Sequence, residues 1–198
     1  QHARLNLVAG DVTDKGSLQK ALQGCQYVIN AASGKGYFSS RPVDNEGVAN
    51  VAEVAKQTGA EQVVLVSSML VTPKNRWNPI RLLLNNIRWG LMDEKFNGEE
   101  ALRRSGMPYT VVRPGGLKNT PPQQDEIVAA QGDTGAMAGS ISRADVAAVC
   151  VAALGNPAAR NVTLEVMTKK DQAPSNRWAD KAEYNRMLQQ IFSGLNKD

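Results

Sequence analysis

The sequence predicts a doubly wound α/β domain on a parallel sheet, and three observations carry that prediction. Apolar, β-branched runs alternate with helix-patterned segments along the chain. The run Val63-Val64-Leu65-Val66 shows no polar alternation, as expected of a strand buried on both faces. Small and polar residues gather at the carboxyl end of one predicted strand after another, where open parallel sheets bind ligands. No linker or internal repeat divides the 198 residues, so residues 1–198 read as one domain.

The elements follow in order. Leu5–Ala9 reads as a short strand ending at Gly10-Asp11, and Ser17–Leu22 as a short helix. Tyr27–Ala32 is the next strand. Asp44–Thr58 places Val48, Val51, Ala52 and Ala55 at amphipathic helical spacing, with Gly59 as its stop. Val63–Ser67 is a strand. Residues 69–90 hold Pro73, Trp77, Pro79 and Trp89 and predict a loop with a short helix. Leu91–Arg104 is a long helix, stopped at Ser105-Gly106. Tyr109–Arg113 is a strand that breaks at Pro114-Gly115-Gly116. Pro121–Gly139 is polar and rich in Gly and Pro, a loop or flap. Asp145–Leu154 is a helix with Ser142 as a cap, Val162–Val166 a strand, and Ala179–Leu195 a helix.

Composition excludes several classes of function. The net charge of +4 is spread over scattered Lys and Arg, with Arg103-Arg104 and Lys169-Lys170 the densest pairs. No basic arm interleaved with aromatics points to nucleic acid. Cys25 and Cys150 sit in or beside apolar runs without metal spacing and read as small core residues. His2 is the single histidine, so no His-rich metal site exists. No apolar run approaches the ~20 residues of a membrane span.

Four strand ends form the candidate site: Gly10-Asp11-Val12-Thr13-Asp14, Asn30-Ala31-Ala32-Ser33-Gly34, Ser67-Ser68 and Arg113-Pro114-Gly115-Gly116. Small residues let a ligand approach the backbone, and four such ends in register predict a continuous cleft. Together with Val43–Gly47, Val64–Ser68, Tyr109–Leu117 and Ile141–Ala147, these stretches resemble the atypical short-chain dehydrogenases/reductases with a Rossmann-like NAD(P)H-binding domain, the NmrA-like and Tic62-like group.

That resemblance implies NADP, or NAD, as cofactor. Asp11 would accept from the adenine amino group beside the backbone of Val12; as a turn residue it would cap the next helix instead. Ala31, Ala32 and Ser33 would pack on the adenine ribose and pyrophosphate. Ser67 and Ser68 would face the nicotinamide, or be strand-end hydroxyls satisfied by backbone. Lys95 would reach the nicotinamide ribose, or be a solvated helix lysine. Pro114, Gly115 and Gly116 would bring backbone onto the carboxamide. Lys95 and Ser67 are the candidate catalytic residues. Asp44, Asn45 and Ser142–Asp145 read as caps and loop ties. The resemblance also implies a chloroplast location, stromal or thylakoid-associated, for a plant or algal protein, and a cytoplasmic one otherwise.

Two departures from the family pattern matter. The sequence contains no Gly-x-x-Gly-x-x-Gly turn, the element whose N–H groups cradle the pyrophosphate. The chain begins about where the family's third strand begins, so it reads as a domain lacking its first βαβ portion. Leu5–Ala9 and one edge of Tyr27–Ala32 are then expected to lack strand neighbours, with weak stability and weak cofactor binding as consequences. Second, if Lys95 is the lysine of the usual Tyr-x-x-x-Lys pair, Leu91 holds the tyrosine position, and leucine moves no proton. Tyr37 could approach from its loop, or be a surface aromatic. The expected function is NAD(P)H binding, either in an oxidoreductase or in a non-catalytic redox sensor or scaffold. Residues 69–90 are the expected seat of an apolar small molecule or a protein partner.

Overall fold

The computed structural model describes residues 5–135, 139–169 and 180–198. Along them run α1 (Lys15–Leu22), β1 (Tyr27–Asn30), α2 (Gly47–Gln57), β2 (Gln62–Val66), α3 (Pro79–Ile87), α4 (Leu91–Arg104), β3 (Tyr109–Pro114), β4 (Gly116–Lys118), β5 (Glu126–Ala130), β6 (Ser140–Ser142), α5 (Arg143–Ala153), β7 (Val162–Lys169) and α6 (Lys181–Gln190). A wide helical turn, Arg41–Glu46, leads into α2.

The main sheet has the order β1-β2-β3-β7-β5. β1, β2, β3 and β7 are parallel, and β5 closes the far edge antiparallel to β7. The alternation of side chains along each strand divides the core in two. Val28, Val63, Leu65 and Val111 face α1, α2 and Leu102 of α4. Val64, Val112, Leu164 and Val166 face α5 and α6. Both faces of β2 are thus covered, which is why its sequence is apolar without alternation.

Helix ends follow their local chemistry. Asp14 caps α1 by accepting from Gly16 N–H, Asn78 caps α3 through Ile80 N–H, and Ser142 caps α5 through Asp145 N–H. Gly106 takes a left-handed φ of 70° just after α4.

Several expectations need correction. Leu5–Ala9 is not a strand: it lies exposed, with no sheet partner among the described residues, because β2 takes one edge of β1 and nothing described takes the other. The stretch expected as a flap from 121 to 139 contains β5, whose Ile127 is buried in the core. β7 runs three residues beyond Val166 because β5 pairs with that extension, Glu126 opposite Lys169. Cys150 is core, and burial pushes its thiol up to about 12; Cys25 is only partly buried. The C-terminal helix starts at Lys181 behind the cap Asp180; Ala179, Lys170 and His2 lie outside the described residues.

Charged side chains bury together at the carboxyl end of the sheet. Arg113 of β3 forks onto Glu99 of α4, with Nε at 3.0 Å and Nη2 at 2.6 Å from its two oxygens. Its Nη1 lies 3.3 Å from Glu165 of β7. Burial works against the Arg113 charge, but the hydrogen bonds and charge of Glu99 outweigh it, and its pKa rises above the ordinary arginine range. Burial, aided by the nearby Asp133 charge, raises Glu165 above the ordinary glutamate range despite Arg113. The second Glu165 oxygen accepts from Asp133 N–H at 3.1 Å. Asp133 in turn accepts from the N–H groups of Leu70 and Thr72 and from the Thr72 hydroxyl. Burial opposes its charge, yet the Thr72 and Leu70 bonds hold its carboxyl below the ordinary aspartate range.

That depressed pKa fixes a sign. Asp133 stabilises the fold fully above its unfolded pKa of about 3.9 and loses that contribution as pH falls through its lower folded value. Asp133→Asn should destabilise the protein by roughly 1.5–3 kcal/mol at neutral pH. It should also flatten the loss of stability on acidification, as read by urea unfolding across pH.

Candidate functional site

The carboxyl ends of β1 and β2 and the first turns of α4 enclose a small cleft lined by Ala32, Asp44, Val48, Leu65, Val66, Ser67 and Lys95. Asp44, from the turn before α2, is buried at its centre. Its carboxylate accepts from Ser33 Oγ at 2.8 Å and Gly34 N–H at 3.1 Å, and Lys95 Nζ sits 2.8 Å from Oδ1. The Arg88 guanidinium lies 3.9 Å from Oδ2 and reaches Ser33 Oγ at 3.4 Å.

Two glycines make this convergence geometrically feasible. A Cβ on Gly98 would stand 2.2 Å from the Asp44 carbonyl oxygen, so only glycine lets α4 press against the turn bearing Asp44. A Cβ on Gly34 would stand 2.3 Å from Ser39 Oγ, so the loop after β1 folds back only without a side chain there. Asn45 adds a tie to Glu94 of α4 at 2.7 Å.

The structure brings together Ala32, Ser33, Ser67 and Lys95 of the sequence-derived candidates. Lys95 is neither solvated nor free: it is the ion-pair partner of Asp44. Ser67 Oγ is buried without a hydrogen-bond partner, and so is Asn30 Nδ2 at the end of the neighbouring strand. A buried polar atom without a partner is costly, and ligand sites are where such atoms collect. Ser68 is satisfied locally, its hydroxyl donating to Met69 O at 3.1 Å.

The other candidates lie apart. Ala31 faces away from the cleft, into an apolar hollow of about 320 Å³ shared with Ile29, Val66, Leu117, Val146 and Val151. Asp11 is exposed and forms a turn: Oδ1 accepts from Thr13 N–H and Oγ1, both at 2.8 Å, and these bonds depress its pKa. Asp14, not Asp11, caps the following helix. The Val12 carbonyl accepts from Asn50. Gly115 N–H bonds to Val166 O and Gly116 N–H to Gly139 O, and a Cβ on Gly115 would stand 2.6 Å from the Gly139 carbonyl oxygen, so the glycine here admits the chain's own backbone and the turn has both N–H groups engaged. The Pro114 carbonyl accepts from Met69 N–H.

Leu91 is buried with Val71 and Met92 and does not line the cleft. Tyr37 packs edge-on to Phe38 at 4.8 Å and tilted on Trp89 at 5.9 Å, as an exposed aromatic group. Sequence reading missed Arg88 as a site residue, because 55 positions separate it from Ser33 and no spacing rule links them.

A family model described as NAD(P)H-binding matches residues 1–157. An uncharacterised chloroplastic protein of Arabidopsis thaliana is 35% identical over 184 residues, covering 89% of this chain and 64% of that protein. Sanguinarine reductase of Eschscholzia californica is 33% identical over 131 residues, covering 65% of this chain and 46% of that one. The chain therefore spans less than two thirds of these relatives. A solved short-chain dehydrogenase/reductase from Veillonella parvula, in complex with NADP, shares the fold: TM-score 0.66 at 17% identity, covering 89% of this chain and 78% of that one.

Gly98→Ala tests the geometry of the cleft. In an open helix this change should stabilise by about 1 kcal/mol. Here the collision with the Asp44 carbonyl should reverse the sign and destabilise by roughly 1–3 kcal/mol in chemical unfolding.

Proposed function

The chain belongs to the NAD(P)H-binding family, and from that premise we propose that its cleft holds the nicotinamide end of NADPH. The carrying observation is the pair of orphaned buried groups at neighbouring strand ends, Ser67 Oγ in the cleft with Lys95 and Asn30 Nδ2 at the end of β1. The residues fit such a ligand. Lys95 would share its ammonium between Asp44 and the ribose hydroxyls. Ser67, with Ser68 behind it, would face the nicotinamide, and Pro114, Gly115 and Gly116 would let the carboxamide come close. Ala31, Ala32 and Ser33 would border the adenine ribose and pyrophosphate, with Asp11 and Val12 toward the adenine. Arg88, whose Nε is also without a partner, suits an anionic part of the ligand.

Bound reduced nicotinamide supplies a hydride. The chain's own part is to orient the ring, exclude water and hold a proton near the acceptor. Lys95 Nζ and Ser67 Oγ are the proton-bearing groups lining the cleft. The reaction this favours is reduction of a small carbonyl, quinone or flavin-like acceptor entering past Arg88 and Trp89 of the 69–90 segment, which would equally suit a protein partner. A second reading, an NADPH-binding redox sensor or scaffold without turnover, is favoured by Leu91, which puts core packing where the usual acid–base tyrosine stands. The chloroplastic relative supports a plastid location, stromal or thylakoid-associated.

Fluorescence titration with NADPH and NADH tests the cofactor assignment. Saturable binding, tighter for NADPH and weakened about tenfold by Lys95→Met, is expected from loss of one charge-assisted bond. Binding unchanged by both Lys95→Met and Ser67→Ala would overturn it. Consumption of NADPH with a quinone acceptor separates the enzyme from the sensor.

A further inference from the structure

α3 is built inside out. Its inward positions carry Arg81 and Asn85, followed by Arg88 just past its end, with Leu84 the one apolar residue among them, while Ile80, Leu82, Leu83 and Ile87 point to solvent. Ile80, Leu83 and Ile87 follow i, i+3, i+7 spacing and form one exposed stripe. The inversion has a structural cause. Arg81 is buried, its guanidinium donating to the carbonyls of Leu70, Val71 and Thr72 and pairing with Asp93. That anchor fixes the helix with its apolar side outward.

The stripe does not end with the helix. Trp77 before it and Trp89 after it are 75% and 65% exposed. Trp89 joins Phe38 and Tyr37, and Phe38 is 76% exposed. Such a contiguous apolar surface marks an interaction site. Its electrostatics are one-sided. From Gln62 to Met92 the sequence has no Asp or Glu; Lys74, Arg76 and Lys35, on the loop of Tyr37 and Phe38, are exposed, while Arg81 and Arg88 turn inward to Asp93 and Asp44.

We propose that the outward face of α3, with Trp77, Trp89 and Phe38, is a docking surface for an anionic lipid bilayer. Aliphatic residues on one helical face, bracketing tryptophans and the exposed cations Lys74, Arg76 and Lys35 are what an interfacial helix requires, and the acid nearest in the fold, Asp93, is paired with Arg81. At nine residues α3 is about 14 Å long, enough to lie in the headgroup region and too short to span. A second copy is a poorer occupant. Two-fold pairing of this face would oppose one cationic rim to the other, which costs free energy.

Flotation with vesicles decides the matter, using phosphatidylcholine alone and phosphatidylcholine containing phosphatidylglycerol. The protein should float with the anionic vesicles and not the neutral ones, and high salt should release it. Lys74→Glu with Arg76→Glu should weaken binding about tenfold or more. Leu83→Glu with Ile87→Glu should abolish it. All four positions are exposed or outward, so unchanged thermal unfolding and circular dichroism verify that the variants fold. Failure to bind anionic vesicles, or equal binding to both, would overturn the proposal. Dimerisation in sedimentation velocity that the Leu83→Glu, Ile87→Glu variant dissolves would also overturn it and assign the face to a second copy. None of these outcomes depends on the cofactor assignment.

Discussion

Glu99 and Arg113 meet where α4 crosses the carboxyl end of β3, and the architecture around the cleft depends on that bidentate pair. Two charges this deep would each be costly alone. Together they are satisfied because Arg113 also reaches Glu165 on β7, and Glu165 accepts from the Asp133 backbone. Asp133 then holds the segment that leads into α3 through Leu70 and Thr72. One ion pair thereby sets the placement of α4, β3, β7 and two loops. Lys95 lies one helical turn before Glu99 on the same face of α4, so anchoring Glu99 against the sheet also turns Lys95 inward, where it meets Asp44.

Gly98 sits between these anchors, and its missing side chain sets the distance from α4 to the Asp44 turn. The cleft is therefore assembled by backbone proximity as much as by side-chain chemistry. That explains how a lysine and an aspartate 51 positions apart become partners without any local motif.

The parallel core was legible because burial on both faces leaves an unmistakable apolar run, as in β2. Strand-end clusters located the cleft because parallel strands direct all their carboxyl ends to one side. β5 was not legible: Ile127-Val128-Ala129-Ala130 is short and lies in a polar, glycine-rich stretch, and only pairing with the far end of β7 makes it a strand. Leu5–Ala9 has strand composition but no partner among the described residues, and composition alone does not form a ladder. Within the site, Ser67 and Lys95 were identifiable, whereas Asp44, the hub that gathers Ser33, Lys95 and Arg88, reads in sequence as an ordinary loop tie. The inverted face of α3 was visible only as an odd tryptophan-bearing segment, since its meaning rests on Arg81 pointing inward.

The central claim is that a nicotinamide dinucleotide lies across the carboxyl ends of β1, β2 and β3, with Asn30, Ser67 and Lys95 against it. Hydrogen–deuterium exchange with and without NADPH tests it most directly. The account predicts added protection at Asn30–Gly34, Ser67–Ser68 and the amides around Lys95, with the outward positions of α3 unchanged. Protection absent from all three segments, or confined to Val146–Val151 of α5 on the far side of the hollow, would contradict it.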